Sequence, residues 1–511
     1  MPDGDGETTQ ETTGSVGTPA AGMNGRSPDG QVAGEALRTP WRALLRDRLR
    51  TSAVPLLVMP RGLTTAASTW AGARLWMLAL REAGLVPGDR IVCALPPGAG
   101  FLALLVACLW DGYAFAPVPA GEPLPPLLAT LDARLAVTTP EHDGAGDAPG
   151  HAHVARTAEA GQPALPLPAL RATHGAPTPE VRLLLRTGGT TGTGRWIALS
   201  DANVLAVLRS HVPHMALEGA RVLSVLPWHH AFGLVLGVLA SLLHADELIR
   251  DPAGGRDLAG LLALADEYEP THLDLVPALA ERLARDERGS ALLDRLRGGI
   301  VGGAPVQAPL AARLARTRLR VGYGQTEAAP GICFGEAGEW RPRWLGRALG
   351  CAVRRDDDGV LAFRGPNACL GEWRDGALVR LDADTWRRTG DVVRATDDGG
   401  WTFEGRASDS FKLANGRMVE AAHWEAALRT AAPAIDELVL HSPDGDTLAI
   451  VCSLRHDGIA PDRATLAAAL GPLGDRLGEL RIVAADAWTR TLKGEVDRRR
   501  LPPPARGVLA P

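Results

Sequence analysis

Short apolar runs of strand length alternate with longer runs of helical period through most of this 511-residue chain. That alternation limits the fold more than any single motif does. Leu75–Ala83 carries helical periodicity and stops at Gly84 and the Pro87-Gly88-Asp89 turn. Ile91–Leu95 reads as a short buried strand, and Pro96–Gly100 leads into a second apolar helix. Leu183–Leu185 is another strand candidate; it ends at a glycine-rich loop, and helix resumes over Asn203–His211. Such alternation predicts βαβ units, a mainly parallel sheet and an α/β fold class. The length exceeds what one core organises, so two or more domains are expected. Residues 1–35 are poor in large apolar side chains and read as a disordered tail. Residues 139–180, rich in Pro, Gly, Ala and His, read as a long surface connection. Trp401–Glu404 is strand-like and Gly405-Arg406-Ala407-Ser408 a break. The last hundred residues, with Leu438–His441, Leu448–Leu454 and Thr465–Leu470, read as a small α+β domain.

A net charge of −5 argues against a dedicated nucleic-acid binder. Apolar stretches such as Phe101–Trp110 and Leu234–Leu243 are too short to span a bilayer, and the start has no apolar region of a secretory signal. The six cysteines form no CxxC pair and read as reduced, mostly buried cytoplasmic thiols. Of 54 basic residues only Lys412 and Lys493 are lysines, so a lysine-dependent chemistry has two candidates. The arginine, alanine and glycine richness suits a high-GC bacterial genome, and a biosynthetic pathway such as antibiotic biosynthesis fits that setting.

Thr187-Gly188-Gly189-Thr190-Thr191-Gly192-Thr193-Gly194-Arg195 is a loop suited to an anion: glycines admit backbone N–H groups, hydroxyls add donors, and Arg195 adds charge. It lacks the ending of a Walker A loop. Alone it is as often an ordinary turn. Downstream come Leu226-Pro227-Trp228-His229-His230-Ala231-Phe232-Gly233, then Gly302-Gly303-Ala304-Pro305, then Tyr323-Gly324-Gln325-Thr326-Glu327. Arg388-Thr389-Gly390-Asp391, Gly405-Arg406 and the run from Asp409 to Val419 complete the series. Each is weak alone: His230 by itself reads as a core histidine, and Glu327 or Asp391 as a surface carboxylate or helix cap.

In this order and spacing, over residues 36–503, they resemble the ANL superfamily of adenylate-forming enzymes, in its acyl-CoA synthetase branch. The resemblance implies a large N-terminal domain of parallel and mixed sheets with flanking helices (36–405), a hinge at 406–408 centred on Ser408, and a small mobile α+β C-terminal domain (409–511). It implies that a carboxylate is joined to AMP from ATP and then passed to a thiol such as coenzyme A. Gly302, Gly303, Ala304, Tyr323, Gly324 and Gln325 would flank the adenine, Thr326 would bond the phosphate, and Asp391 with Arg406 would take the ribose. Glu327 would hold Mg²⁺ when ATP is used. His230 would sit at the carboxylate and pantetheine tunnel, and Lys412 and Gly416 would belong to the thiolation loop. His229, Phe232, Gly233, Val235, Ala328 and Gly331 would line the acyl pocket, whose small residues suit a bulky apolar acid.

Two departures shape the functional reading. In the phosphate loop, Gly188, Gly194, Arg195 and Trp196 stand where the family has Ser, Pro, Lys and Gly. Trp196 either packs against the sheet or obstructs the pyrophosphate path. In the C-terminal signature, Thr491, Gly494, Val496, Arg498 and Leu501 match, but Glu495 occupies the place of the lysine used in adenylation. At ~4 Å and an effective dielectric near 20, reversing such a charge changes each contact by roughly 4 kcal/mol in each direction. Using Lys493 instead would require a two-residue shift that gives up the five matches. The expectation is therefore an enzyme that performs thiolation alone, taking a preformed acyl-adenylate and coenzyme A, with a separate adenylating enzyme as partner. A complete ATP-dependent synthetase and a non-catalytic acyl-AMP-binding protein are the competing readings. A cytoplasmic monomer or homodimer is expected in each case.

Overall fold

The computed structural model describes residues 39–50, 55–60, 62–141, 153–157, 162–163, 167, 175–187, 194–415, 417–455, 458–490, 496–498 and 500–503. Three sheets make up the large N-terminal domain. The first has eight strands, in the order Ala377–Arg380, Gly371–Arg374, Trp196–Leu199, Leu183–Arg186, Ala114–Pro117, Arg90–Cys93, Leu135–Thr138 and His153–Arg156. Its half from Leu183–Arg186 to His153–Arg156 is parallel. The other half is antiparallel, because the loop after Arg186 is a hairpin rather than a crossover. The expectation of a mainly parallel sheet holds for the crossover-linked strands only. The stretch 139–180 is also more than a connection, since His153–Arg156 pairs with Leu135–Thr138.

The second sheet has five strands and includes Arg221–Ser224 and Glu247–Arg250. The third has eight and runs from Ile300–Gly302 and Arg320–Tyr323 through Gly400–Arg406 and Arg387–Ala395 to Ala352–Arg355. Between sheets lies Ala99–Asp111, a helix apolar on every side; Phe101–Leu109 are all buried. Its sequence allows no solvent face, and Leu104→Ala there would cost roughly 2–5 kcal/mol. Asp201–Met215 starts directly after a strand, where Ser200 caps it: Ser200 Oγ accepts from Asn203 N and Asn203 Oδ1 accepts from Ser200 N.

The smaller C-terminal domain has a three-stranded sheet, Ile435–His441, Leu448–Leu454 and Leu477–Val483, and the helices Ala421–Ala431 and Arg463–Ala469. Its own apolar cluster joins Leu413, Leu428, Ile450 and Leu466. The predicted break at 405–408 begins later: Gly405 and Arg406 complete a strand, and a single 3₁₀ turn, Ala407–Asp409, follows. Among the described residues no helix is long and apolar enough to cross a membrane. All six cysteines are free; Cys351 is half-buried and the others buried.

Candidate functional site

Asp391 and Arg406 face each other across the antiparallel strands Arg387–Ala395 and Gly400–Arg406. Directly opposed residues on one face meet, and here Arg406 Nη1 lies 2.7 Å from Asp391 Oδ1. From the other side, Tyr323 Oη donates to Asp391 Oδ2 at 2.6 Å. Burial, reinforced by the Asp391 carboxylate, pushes the Tyr323 hydroxyl well above its ordinary range, so it remains a donor. The Asp391 N–H donates to Thr389 Oγ1, whose hydroxyl donates to Leu361 O. The chain then makes a tight excursion after Tyr323. A Cβ at Gly324 would overlap the carbonyl of Pro330, so this close approach needs glycine. Thr326–Ala328 is a 3₁₀ turn at the tip, and Ile332 N returns to Tyr323 O at 3.0 Å. Gly302 ends the neighbouring parallel strand, and Gly303 and Ala304 follow it.

Thr187 and Arg195 close the base of the glycine-rich loop: Thr187 N donates to Arg195 O at 2.8 Å and Arg195 N to Thr187 Oγ1 at 3.1 Å. Gly188, Gly189, Thr190, Thr191 and Gly192 lie outside the described residues. The Arg195 guanidinium is divided between two carboxylates, Glu327 Oε1 at 2.7 Å and Glu372 Oε1 at 2.5 Å. Burial works against ionisation of Glu372, but Arg374 and Arg195 together hold its carboxyl below the usual range. Trp196 packs away from the loop: it is buried in the strand, paired with Trp373, with the Arg186 guanidinium 5.7 Å from its ring centre. Glu327 presents one oxygen to Arg195, and among the described residues no group of three or more metal-ligating side chains exists. That donor set fits Mg²⁺ carried mainly on ligand phosphates and not a protein-caged ion.

The segment before His230 is held from below. Trp228 is fully buried, donates to Ser224 Oγ at 2.9 Å and meets Phe101 edge-on. Arg250, also buried, donates to Ser224 O and Leu226 O and lies 5.7 Å from the Trp228 ring centre. This leaves His230 exposed and His229 half-buried, with 4.5 Å between ring centres. Burial, His230, Arg186 and Arg250 together push the His229 imidazole down to about 3, so it is neutral near pH 7. A π-helix, Phe232–Leu239, follows, with Ala240 N bonded back to Val235 O. Gly233, Val235, Ala328 and Gly331 are buried, and Phe232 is half-buried beside Gly302.

Lys412 is exposed on a hairpin in which Phe411–Lys412 pairs with Met418–Val419. Among the described residues no hydrogen bond or ion pair joins it to the Tyr323–Asp391 group. Ser408 is exposed in the 3₁₀ turn. Gly416, Lys493 and Glu495 lie outside the described residues. Their neighbour Arg498 is tied to Glu425 Oε1 at 2.5 Å and to Asp409 Oδ2 at 3.4 Å. Val496 and Leu501 pack on Val439, Val451, Val483 and Trp488.

The sequence reading missed Glu372, Arg250, Asp274 and His211. Glu372 and Arg250 come from distant strands and carry no local signal. Asp274 accepts from Ile300 N at 2.9 Å beneath the strand leading to Gly302, and burial pushes its carboxyl up to about 7. Small cavities flank it, one bordered by Met215, Ile300 and Phe334, the other by Leu226, Gly233 and Gly237.

Residues 68–367 match the family model described as AMP-binding enzyme. A feruloyl-CoA synthase from Amycolatopsis is 30% identical over 357 residues, which cover 65% of this chain and 71% of that one. The ATP-bound MatB from Rhodopseudomonas palustris superposes with a TM-score of 0.71 at 22% identity, covering 90% of this chain and 98% of its own. The anthranilate CoA ligase AuaEII, solved with anthranoyl-AMP, gives 0.69 at 18% identity, covering 91% and 96%.

Proposed function

The chain belongs to the AMP-binding enzyme family, and from that premise we propose that it is an acyl-CoA ligase-type enzyme that carries out only the thiolation half-reaction. A preformed acyl-adenylate would react with coenzyme A: the thiol sulfur bonds to the acyl carbon, the acyl–phosphate oxygen bond breaks, and AMP leaves with the electron pair. A curated relative named as a CoA synthase supports the substrate class. The observation that carries the restriction to thiolation is Glu495 where the family signature has lysine. Two structural facts support it. Val496, Arg498 and Leu501 are each anchored, so moving Lys493 into the place of Glu495 would unseat all three. Arg195, the remaining cation of the phosphate loop, is already shared by Glu327 and Glu372. A triphosphate would have to displace two carboxylates to reach it.

In this reading Tyr323 and Arg406 orient the Asp391 carboxylate toward the ribose, Thr326 bonds the adenylate phosphate, and His230 stands at the acyl carbonyl. Lys412 and Gly416 belong to the loop that admits pantetheine. The domains divide as 36–405, a hinge at 406–408 with Ser408, and 409–511, after a tail at 1–35. The separate apolar cluster of the C-terminal domain favours that division. A distinct enzyme would supply the adenylate, and the setting would be cytoplasmic.

A complete ATP-dependent synthetase is the second reading, because Glu327 keeps a position suited to Mg²⁺, which would screen the phosphate charge. The test is paired. One reaction receives free acids with ATP, Mg²⁺ and coenzyme A; the other receives matching synthetic acyl-AMPs with coenzyme A alone. Thioester from the adenylates at a rate at least ~1,000-fold above that from the acids is expected, given the cost of the reversed charge. Comparable rates would overturn the restriction and leave an ordinary synthetase.

A further inference from the structure

His211, on the helix Asp201–Met215, is only 1% exposed. Its ring fills the space a side chain at Gly331 would take: a Cβ there would overlap Cε1 and Nε2. Phe334 meets the ring edge-on, with centroids 5.4 Å apart. Gly331 lies on the return arm of the excursion that has Thr326 and Glu327 at its tip, so the ring stands behind the phosphate end of the site.

The tautomer follows from its neighbours. Nδ1 is 2.9 Å from Ser210 Oγ, and that hydroxyl is also 2.9 Å from Ala206 O and 3.2 Å from Val207 O. Carbonyls only accept, so the single hydroxyl proton is directed to them and Oγ is left to accept from Nδ1–H. Burial lowers the ring pKa to about 4, so the imidazole is neutral near pH 7. Nε2 then carries a lone pair. It is buried and has no hydrogen-bond partner among the described residues. A buried acceptor without a donor is costly, and each such group in a folded protein calls for an account.

We propose that Nε2 of His211 reads the far end of the acyl group, so that the acid handled by this chain carries a hydrogen-bond donor there, a hydroxyl or an amino N–H, on an otherwise apolar body. The inference rests on the acyl-adenylate reading of the site. A hydroxyl would donate its proton to Nε2 with no change in charge, and an acid lacking it would leave the acceptor unsatisfied. Charged ends are disfavoured: a carboxylate would meet the lone pair, and an ammonium would meet an apolar surround of Phe334 and Ile332.

The test measures binding to the full chain by calorimetry, using non-hydrolysable acyl sulfamoyl adenosines in matched pairs: para-hydroxybenzoyl against benzoyl, para-hydroxycinnamoyl against cinnamoyl, and omega-hydroxyoctanoyl against octanoyl. AMP alone is the reference. The hydroxylated member of at least one pair is expected to bind roughly 10- to 100-fold tighter. His211→Phe should bring that pair together while AMP affinity stays unchanged, and His211→Gln should keep part of the difference. Equal affinity within all three pairs on the unaltered protein, tight or weak alike, overturns the proposal without need of a variant. A preference that survives His211→Phe overturns it as well. Failure of AMP and every sulfamoyl adenosine to bind would remove the adenylate reading beneath it.

Discussion

Asp391 and Arg195 are each held by two oppositely disposed partners, yet the two arrangements have contrary effects. Tyr323 and Arg406 fix a buried carboxylate in one orientation, so its order is set before any ligand arrives. Glu327 and Glu372 surround a half-exposed guanidinium and cancel the charge a phosphate would seek. The same kind of contact prepares the nucleoside side of the site and closes off the triphosphate side. Whether a polar network serves a ligand depends on which of its members the ligand must replace.

Asp391→Ala should break the prepared side. It strips two buried partners of their acceptor, and AMP affinity measured by calorimetry should fall roughly 100-fold, as for a removed charged hydrogen-bond partner. Unchanged affinity would mean that Asp391 is structural and the comparison empty. On the other side, combining Glu495→Lys with Glu372→Gln should restore a lysine and release half of the clamp on Arg195. Pyrophosphate exchange with labelled pyrophosphate should then rise by about 30-fold, and by less for either change alone, since each removes about one charge contact. If the double variant matches the unaltered protein, the clamp is not what limits adenylation. Tyr323→Phe sharpens the first side. Losing one neutral donor should weaken AMP binding by about 5-fold while Arg406 still orients the carboxylate.

The smallest effect concerns stability. Asp274 is an acid whose folded pKa, about 7, lies above its model value of 3.8. Between those values the folded chain holds a proton the unfolded chain has released, so stability falls as pH rises through that window and levels off above it. Asp274→Asn should raise the melting temperature at pH 8 by a few degrees, reflecting ~1–3 kcal/mol, and change it little at pH 4. A uniform shift at both values would show that packing around Asp274, and not its ionisation, governs the effect.

Periodicity located the strands Leu183–Arg186 and Leu448–Leu454 within a residue, because runs buried on both faces leave no polar positions to confuse their ends. It shortened the helix Ala66–Glu82, whose first turns hold Thr and small residues without a clear stripe. The antiparallel half of the first sheet was not legible, since its strand Gly371–Arg374 arrives from 170 residues downstream, and no local pattern encodes that return. Motif order brought forward Tyr323, Asp391 and Arg406, which meet in space. It gave no hint of Glu372 or His211, because an ion pair or an unfilled lone pair exists only once distant elements pack. The orientation of Trp196 was left open between two alternatives and resolved by its strand register, which turns the ring toward Trp373.

The π-helix Phe232–Leu239 sets the rotational phase of everything after it. Bonding from i to i+5 gathers one more residue into each closed turn than α bonding does. A chain one residue shorter here could relax to an ordinary α-helix, turning the downstream face by about 100° and drawing a different side chain inward beside Phe232. Residue number within this segment is thus a dial on pocket shape. Related chains differing by a single insertion there would line the same cavity with different atoms, even if every aligned motif were identical.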